Sequence, residues 1–175
     1  CKNYDESLIA AREIFNGKFG KAKNLLIEEF LDGEEMSYFI VADGKSYKFF
    51  GSAQDHKRVG EGDTGKNTGG MGCYSPSRLL SKDLDLKIKS NIIEPTLNAI
   101  NESGGVYKGF LYVGLMIKDN QPFLIEFNVR MGDPECQTIL PTLNTDLFDV
   151  LISCCDGTLN QTSIDFSKSK SICVV

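Results

Sequence analysis

A glycine-rich polar segment, residues 54–72, has the composition of a loop that borders a charged small molecule. Its sequence, QDHKRVGEGDTGKNTGGMG, combines many glycines with Lys57, Arg58, several acids and His56, the single histidine of the chain. Glycine backbone can take positive φ and approach a ligand closely, so the segment predicts a loop beside a polar ligand. A solvated surface loop is the alternative.

A second group of polar residues follows the alternation of a β-strand. In residues 122–130, Phe123, Ile125, Phe127 and Val129 would face one way, and Glu126, Asn128 and Arg130 the other. A carboxylate and an amide carbonyl two residues apart can reach one hard cation, and Mg²⁺ in nucleotide sites needs few protein ligands. The residues therefore indicate a magnesium site, with a solvated polar face as the alternative.

The strand runs into a charged turn, RMGDPE. Arg130 could hold a carboxylate or phosphate through two parallel hydrogen bonds, while Asp133 and Glu135 could hold an ammonium group. An ordinary charged turn is the alternative. Residues 26–35, LIEEFLDGEE, contain many acids for a strand. An acidic strand edge that resists aggregation explains them about as well as a ligand-binding role does.

Three blocks of sequence resemble one enzyme family. QDHKRVGxGDTGxNTGGMGxYSP, LIEEFLDGEEMSY, and GFLYVGLMI followed by LIEFNVRMGDPE are similar to segments of the phosphoribosylamine–glycine ligases (glycinamide ribonucleotide synthetases), which have the ATP-grasp fold. The blocks come in the family's order, and the similarity extends from about Tyr4 to Val175. The resemblance implies an α+β ATP-grasp domain with a mainly antiparallel sheet and flanking helices.

The resemblance also assigns roles to residues. Glu126 and Asn128 would bind Mg²⁺ or Mn²⁺, the backbone of residues 29–31 would bind adenine, and Glu35 would hold the ribose. The full set implied for ATP is Glu28, Glu29, Phe30, Leu31 and Glu35. The set implied for the other substrates is Asp55, Lys57, Arg58, Asp63, Asn67, Thr68, Gly69, Arg130, Asp133 and Glu135. The residues implied to act in catalysis are Arg130, Asp133 and Lys57. His56 could act as a general base, but a lone histidine is more often a positioned hydrogen-bonding residue.

The implied reaction joins glycine to 5-phosphoribosylamine with ATP and gives glycinamide ribonucleotide, a step of purine biosynthesis. We expect residues 1–175 to be a partial ATP-grasp domain, without the family's amino-terminal substrate domain, glycine-rich lid and carboxy-terminal domain. A nucleotide-binding fragment without turnover, another ATP-grasp carboxylate–amine ligase and an interaction module are the alternatives. The missing domains of the same chain would be its partners.

Composition excludes several classes of protein. The chain has 175 residues, 41% of them hydrophobic and 25% charged, and a formal charge of −5, which argues against nucleic acid as a partner. It has no apolar run long enough to cross a membrane and no signal-peptide pattern, so we expect a cytoplasmic protein. Six cysteines show no metal-binding spacing and no secreted disulfide framework.

Local patterns predict the elements. We expect helices at residues 5–15, 83–103 and from Thr145 or Asp146 onward, with Pro95 kinking the second helix or shifting its hydrogen bonds. We expect strands at residues 25–30, 36–42, 45–50, 109–117 and 122–130. Asp43-Gly44 would form a type I′ hairpin turn, and Asp119-Asn120 would form another turn.

Overall fold

The computed structural model of the chain describes Cys1 and residues 3–62 and 64–175. The chain divides into two compact units, Cys1–Asp32 and Gly33–Val175. The first unit contains helix α1, Tyr4–Phe15, whose N-cap Asn3 accepts a hydrogen bond from the Glu6 amide at 2.9 Å. This confirms the helix predicted at residues 5–15, and Asn3 is its N-cap.

The strand predicted at residues 25–30 was wrong. The segment forms no strand ladder with any strand that the structure describes. Its apolar side chains Leu26, Ile27 and Phe30 are between 73% and 83% exposed. Strand propensity favours extended backbone, but a strand also needs a neighbouring chain to accept and donate its hydrogen bonds.

The second unit is built on a six-stranded antiparallel sheet. The strands lie in the order β7-β6-β1-β2-β5-β8, and β3 and β4 form a separate two-stranded ribbon. The strands are β1 Glu34–Asp43, β2 Tyr47–Asp55, β3 Arg58–Gly60, β4 Thr64–Asn67, β5 Gly72–Ser75, β6 Lys108–Lys118, β7 Gln121–Asn128 and β8 Ser171–Val174. The helices are α2 Lys82–Ile88, α3 Glu94–Glu102, α4 Glu135–Ile139 and α5 Leu147–Asp156. The antiparallel α+β architecture predicted from the sequence is confirmed.

Two apolar layers cover the two faces of this sheet. On one face, Met36, Tyr38 and Ile40 of β1 pack with buried isoleucines of the α2–α3 region. On the other face, Phe39 and Val41 pack with residues of α4 and α5. Because successive strand residues point to opposite faces, β1 is buried on both sides and lies at the centre of the unit.

The β1–β2 hairpin forms, but its turn differs from the predicted one. Ala42 pairs with Tyr47, and the Asp43 amide donates to the Ser46 carbonyl at 3.1 Å, so Gly44 and Lys45 are the central turn residues. Gly44 has φ +89° and Lys45 is not in the left-handed region, which fits a type II′ rather than a type I′ turn. Asp43 instead accepts hydrogen bonds from the turn.

The long second helix adjusts its hydrogen bonds ahead of Pro95, as predicted. Residues 82–102 are helical throughout, but Lys89–Ile93 between α2 and α3 forms a π-helical turn. Proline has no amide hydrogen and its ring crowds the preceding turn, so a wider turn accommodates it without ending the helix. Ile88, Ile92 and Ile93 remain buried against the sheet.

The β6–β7 hairpin turns at Asp119 and Asn120, both with positive φ, which confirms the predicted turn. Its ladder contains an irregularity that the sequence alternation did not show. Gly114 pairs with Glu126 but Leu115 pairs with Leu124, so Ile125 is an additional residue in β7. A bulge of this kind changes the facing of the side chains on either side of it.

The last predicted helix is also present. Asp146 caps α5 by accepting from the Phe148 amide at 2.8 Å, and Gly157 ends the helix in the left-handed region. The carboxy-terminal strand is β8, which pairs with β5. Within the residues that the structure describes, no helix is long and apolar enough to cross a membrane.

Buried Asp43 joins the hairpin turn to the carboxy-terminal part of this unit. Its carboxylate accepts from the Lys45 and Ser46 amides at 2.9 and 2.6 Å and from the Leu159 amide at 3.1 Å. Burial alone would raise the pKa of Asp43, but these hydrogen bonds outweigh it and hold the pKa below the ordinary value of 3.8.

We therefore expect Asp43→Ala to lower the free energy of unfolding at pH 7 by about 2 kcal/mol, because the buried Leu159 amide and two turn amides lose their acceptor. Since the folded-state pKa is depressed, this contribution is complete above the ordinary pKa of 3.8 and is lost as pH falls through the lower folded-state pKa. Urea unfolding at several pH values measures it. Asp156→Ala, at an exposed aspartate that ends α5, is the control, and equal losses in the two variants would contradict the prediction.

Candidate functional site

The sheet register brings polar side chains from four strands onto one face. Ser37 of β1 pairs with Gly114 of β6, which pairs with Glu126 of β7. In the next row, Tyr112 of β6 pairs with Asn128 of β7. Directly opposed residues share a face, so both rows project to the same side of the sheet.

Asp55, at the end of β2, extends the same face. Ala53 pairs with Ser37, and Asp55 lies two residues beyond Ala53 on the same strand. Residues from β1, β2, β6 and β7 that are distant in sequence therefore meet around one cleft. It has a volume of about 230 Å³ and is lined by Glu35, Met36, Ser37, Asp55, Lys57, Asn67, Tyr112, Gly114, Leu115, Ile125 and Glu126.

The predicted metal ligands lie side by side at this cleft. The Asn128 side-chain amide donates to Glu126 Oε1 at 3.0 Å, so the two groups are near enough to share a cation after the amide turns its oxygen inward. Glu126 is exposed and Asn128 half-buried. One carboxylate and one amide oxygen suit Mg²⁺ that keeps other ligands from water and phosphate, and no group of three or more acidic, histidine or cysteine ligands occurs in the described part of the chain.

Strand alternation did not predict every residue of β7 that faces the cleft. Glu126 and Asn128 share a face as predicted, but Ile125, predicted for the opposite face, also lines the cleft with Glu126. The bulge at Ile125 is the physical reason, because the additional residue interrupts the two-residue period. An apolar side chain therefore lines the cleft beside Glu126.

Lys57 supplies a positive charge in the cleft. Its ammonium group lies 3.2 Å from a carboxylate oxygen of Glu35. Burial by itself would lower the pKa of Lys57, but the negative charge of Glu35 and their hydrogen bond outweigh it and raise the pKa above its ordinary value. Lys57 is therefore a cation that can meet an anionic ligand, and Glu35, implied to hold ribose, is its partner in this state.

The glycine-rich segment is a short ribbon rather than an irregular loop. Its middle forms β3 and β4, and Arg58 pairs with Asn67. Thr68 donates its hydroxyl to the Lys57 carbonyl at 2.8 Å and receives the Gly70 amide at 3.1 Å. The segment thus holds its own shape, and Asn67 reaches the cleft from it.

The other predicted site residues that the structure describes in the second unit are not among those that line the cleft. Arg130 is exposed and donates to the Met131 carbonyl at 2.9 Å, and Asp133 is exposed and accepts from Gln137 at 2.7 Å. Arg58 donates to the Gly65 carbonyl at 3.4 Å, and Gly69 is exposed. His56 is exposed and stacks with Tyr74. Asp63 lies outside the described residues, and Glu28, Glu29, Phe30 and Leu31 belong to the first unit; their binding roles stay predictions.

Glu135 is buried beneath the cleft. It is 2% exposed, and Ser37 donates its hydroxyl to Glu135 Oε1 at 2.6 Å. The Ser37 hydroxyl also lies 3.0 Å from that of Tyr112. A Cβ atom on Gly132 would lie 2.1 Å from Glu135 Oε2, so glycine at this turn leaves the room that the carboxylate occupies.

Ser37 and Tyr112 are site residues that the sequence reasoning missed. Ser37 is a polar residue within the buried run of β1, with Glu35 two positions before it, so strand alternation could have placed both on one face. Tyr112 lies in a nearly continuous apolar strand, which carries no signal that its hydroxyl group meets Ser37.

A second cavity, of about 310 Å³, lies between the β1–β2 turn and α3. Its single carboxylate, Glu94, accepts a hydrogen bond from Tyr47 at 2.9 Å. It contains none of the residues that the sequence motifs indicate. The cleft at Ser37 and Glu126 is therefore the candidate site.

Asp55 has an unusual environment in this cleft. Its Oδ1 atom is the buried side-chain oxygen, within the part of the chain that the structure describes, that has no hydrogen-bond partner. Burial, and after it the negative charge of Glu135, raise the pKa of Asp55 to about 6, although Lys57 acts in the opposite direction. A buried acceptor without a donor is costly in the free protein and is available to a ligand.

Asp55→Asn should therefore stabilise the free protein above pH 6. The folded state holds the Asp55 proton more tightly than the unfolded state, so wild-type stability falls as pH rises from the ordinary pKa of 3.8 through about 6. We expect a gain on the order of 2 kcal/mol at pH 7.5 that disappears below pH 4. Urea unfolding of this variant and of Asp119→Asn, at an exposed turn, measures the effect; a gain that does not change with pH would refute it.

Comparisons with known proteins agree on one family. Residues 1–136 match the family described as phosphoribosylglycinamide synthetase, ATP-grasp (A) domain. The phosphoribosylamine–glycine ligase of Chlorobaculum tepidum is 46% identical over 98% of this chain and 41% of its own length. The chloroplastic enzyme of the same name from Arabidopsis thaliana is 49% identical over 93% of this chain and 31% of its own.

A solved structure shows the same fold. The phosphoribosylamine–glycine ligase of Thermotoga maritima matches with a TM-score of 0.83 and 32% identity, over 97% of this chain and 43% of that chain. The chain thus spans less than half the length of each of these three relatives.

Proposed function

Because the chain belongs to the phosphoribosylglycinamide synthetase ATP-grasp (A) domain family, we propose that the complete protein carrying it ligates glycine to 5-phosphoribosylamine with ATP. The products are glycinamide ribonucleotide, ADP and phosphate. The observation that carries the proposal is the cleft that brings Glu126, Lys57 and Asp55 together from three distant parts of the sequence. Names and identities of the relatives support the choice of substrates.

The proposed chemistry proceeds in two transfers. A carboxylate oxygen of glycine attacks the γ-phosphorus of ATP, giving glycyl phosphate and ADP. The amine of phosphoribosylamine then attacks the acyl carbon, phosphate leaves, and the nitrogen loses a proton. Neither transfer needs a covalent intermediate on the protein, so the residues must align the reactants, balance charge and exclude water.

The residues around the cleft suit these tasks. Glu126 and Asn128 would hold Mg²⁺ or Mn²⁺, which when bound neutralises phosphate charge. Lys57 lies in the cleft and would meet a phosphate or carboxylate, while Arg130 would act from the adjoining turn. Asp133 would complete the turn that borders glycine. Residues 28–31 would bind adenine through their backbone. Glu35 would release Lys57 and accept hydrogen bonds from the ribose hydroxyls instead.

The same family assignment supports a cytoplasmic location and small-molecule partners, although a plant relative is named chloroplastic. It also supports dependence on other parts of the protein, since the chain spans 41% of the length of the Chlorobaculum relative. We therefore assign nucleotide binding without turnover to the 175 residues alone. Another ATP-grasp carboxylate–amine ligase is the remaining alternative. Turnover with a carboxylic acid other than glycine would distinguish it.

We expect multiple-turnover ADP release by the complete protein to require both glycine and phosphoribosylamine. Combining Glu126→Gln with Asn128→Ala should lower kcat/KM for Mg-ATP at least about 100-fold, because the protein's share of the metal site is removed. Isothermal titration of Mg-ATP should show the same loss in binding. A coupled assay for ADP measures turnover.

The matched control combines Glu102→Gln with Asn91→Ala, at exposed positions of the α2–α3 region outside the cleft. It should bind Mg-ATP and turn over as the wild type does. If ADP release does not depend on glycine but depends on another carboxylic acid, the alternative ligase replaces the proposed function. Wild-type turnover in the Glu126/Asn128 variant would remove the metal site from this cleft.

A further inference from the structure

We infer that Ser37 and Tyr112 are ligand-contacting residues that, oriented by buried Glu135, make one end of the cleft selective for an amine. This inference rests on the proposed function and assigns its amine-binding surface. Both hydroxyl-bearing residues line the cleft, whereas Glu135 lies behind them and does not. Glu135 is therefore a positioning residue that acts through the hydroxyl groups.

The direction of each hydrogen bond follows from counting protons. Ser37 has one hydroxyl proton and donates it to Glu135 Oε1 at 2.6 Å, because a carboxylate has none to offer. The Tyr112 hydroxyl lies 3.0 Å from that of Ser37 and also has Glu135 as a hydrogen-bond partner, so its own proton is directed to one of these two protein groups. Both hydroxyl protons point within the protein, and the lone pairs that remain can only accept.

Asp55 adds another acceptor to the same cleft. Its buried Oδ1 atom has no donor among the described residues, and Asp55 lines the cleft with Ser37 and Tyr112. Three side chains thus offer acceptors and no donor. A protonated or neutral amine satisfies such a surface, whereas a carboxylate or phosphate would face unpaired lone pairs.

The positive charge of the cleft is carried by a different side chain from those of this acceptor surface. Lys57 is paired with Glu35 at 3.2 Å and is the ammonium group in the cleft lining. An amino acid carries both an ammonium and a carboxylate, so its two ends require opposite surroundings. The acceptor surface of Ser37, Tyr112 and Asp55 would hold the nitrogen end.

The burial of Glu135 explains why the orientation is kept. A carboxylate that is 2% exposed needs donors, and removing the Ser37 donor leaves it poorly satisfied. The carboxylate lies directly against Gly132, where a Cβ atom would overlap it, so glycine at this position permits the observed placement of Glu135. The Ser37 proton is therefore held toward Glu135 whether or not the cleft is filled.

The test compares glycine with acetate, which has the same carboxylate but no nitrogen, by isothermal titration and competition on the complete protein. Ser37→Ala and Tyr112→Phe should each raise the Kd for glycine about tenfold and change the Kd for acetate less than twofold. Glu135→Gln should also reduce the preference for glycine, because its amide can donate to Ser37 and turn the serine proton toward the cleft.

Two controls separate this role from general stability. Ser153→Ala removes a hydroxyl of equal exposure, 4%, that bonds to the Val150 carbonyl in α5. Tyr107→Phe removes a half-buried hydroxyl that donates to the Phe110 carbonyl. Both should keep the wild-type ratio of glycine to acetate affinity even if melting temperature falls.

An unchanged glycine-to-acetate ratio in Ser37→Ala and Tyr112→Phe, or a wild type that does not bind glycine, overturns the inference. Turnover is measured separately. Ligase activity with an unchanged ratio refutes the amine-selective surface alone. The expected ratios without formation of glycinamide ribonucleotide refute the proposed function alone.

Discussion

The buried carboxylate of Glu135 constrains the arrangement of the site more than any other group. A carboxylate removed from water must receive hydrogen bonds, and this one receives the Ser37 hydroxyl from the middle of the sheet. The bond joins α4, and with it the charged turn that precedes α4, to β1. The position of the turn therefore depends on the central strand, although the two are 98 residues apart in sequence.

The central strand in turn depends on apolar burial at both faces. Tyr38 and Ile40 pack under the α2–α3 helices, while Phe39 and Val41 pack under α4 and α5. A shift of one residue in β1 would exchange these faces and remove Ser37 from Glu135, so the two cores hold the register that the site requires. The position of the row at Ser37, Gly114 and Glu126 follows from this register.

Two acidic side chains in the cleft, Glu35 and Asp55, differ in their partners. Glu35 pairs with Lys57 and keeps it cationic, whereas Asp55 retains a buried oxygen without a donor. Such an arrangement costs stability in the free protein and is satisfied by ligands that bring charge and donors with them. The bulge at Ile125 adds an apolar side chain to the cleft beside Glu126.

The sequence by itself determined the local elements and the chemical types at the site. Helix caps at Asn3 and Asp146, the turn at Asp119-Asn120 and the adjustment ahead of Pro95 depend on neighbouring residues, so their signals are local. The pairing of Glu126 with Asn128 follows from the two-residue period of a strand. Motifs also indicated the family, which the comparisons confirmed.

Only the tertiary structure decided which distant groups meet and which hydrogen bonds they make. Ser37, Tyr112 and Glu135 come together through strand register and helix packing, and no local pattern encodes that contact. The additional residue Ile125, the turn centred on Gly44 and Lys45, and the unpaired segment 25–30 likewise depend on what lies across the ladder. The physical reason is that pairing and burial are properties of two segments at once, whereas propensity and alternation are properties of one.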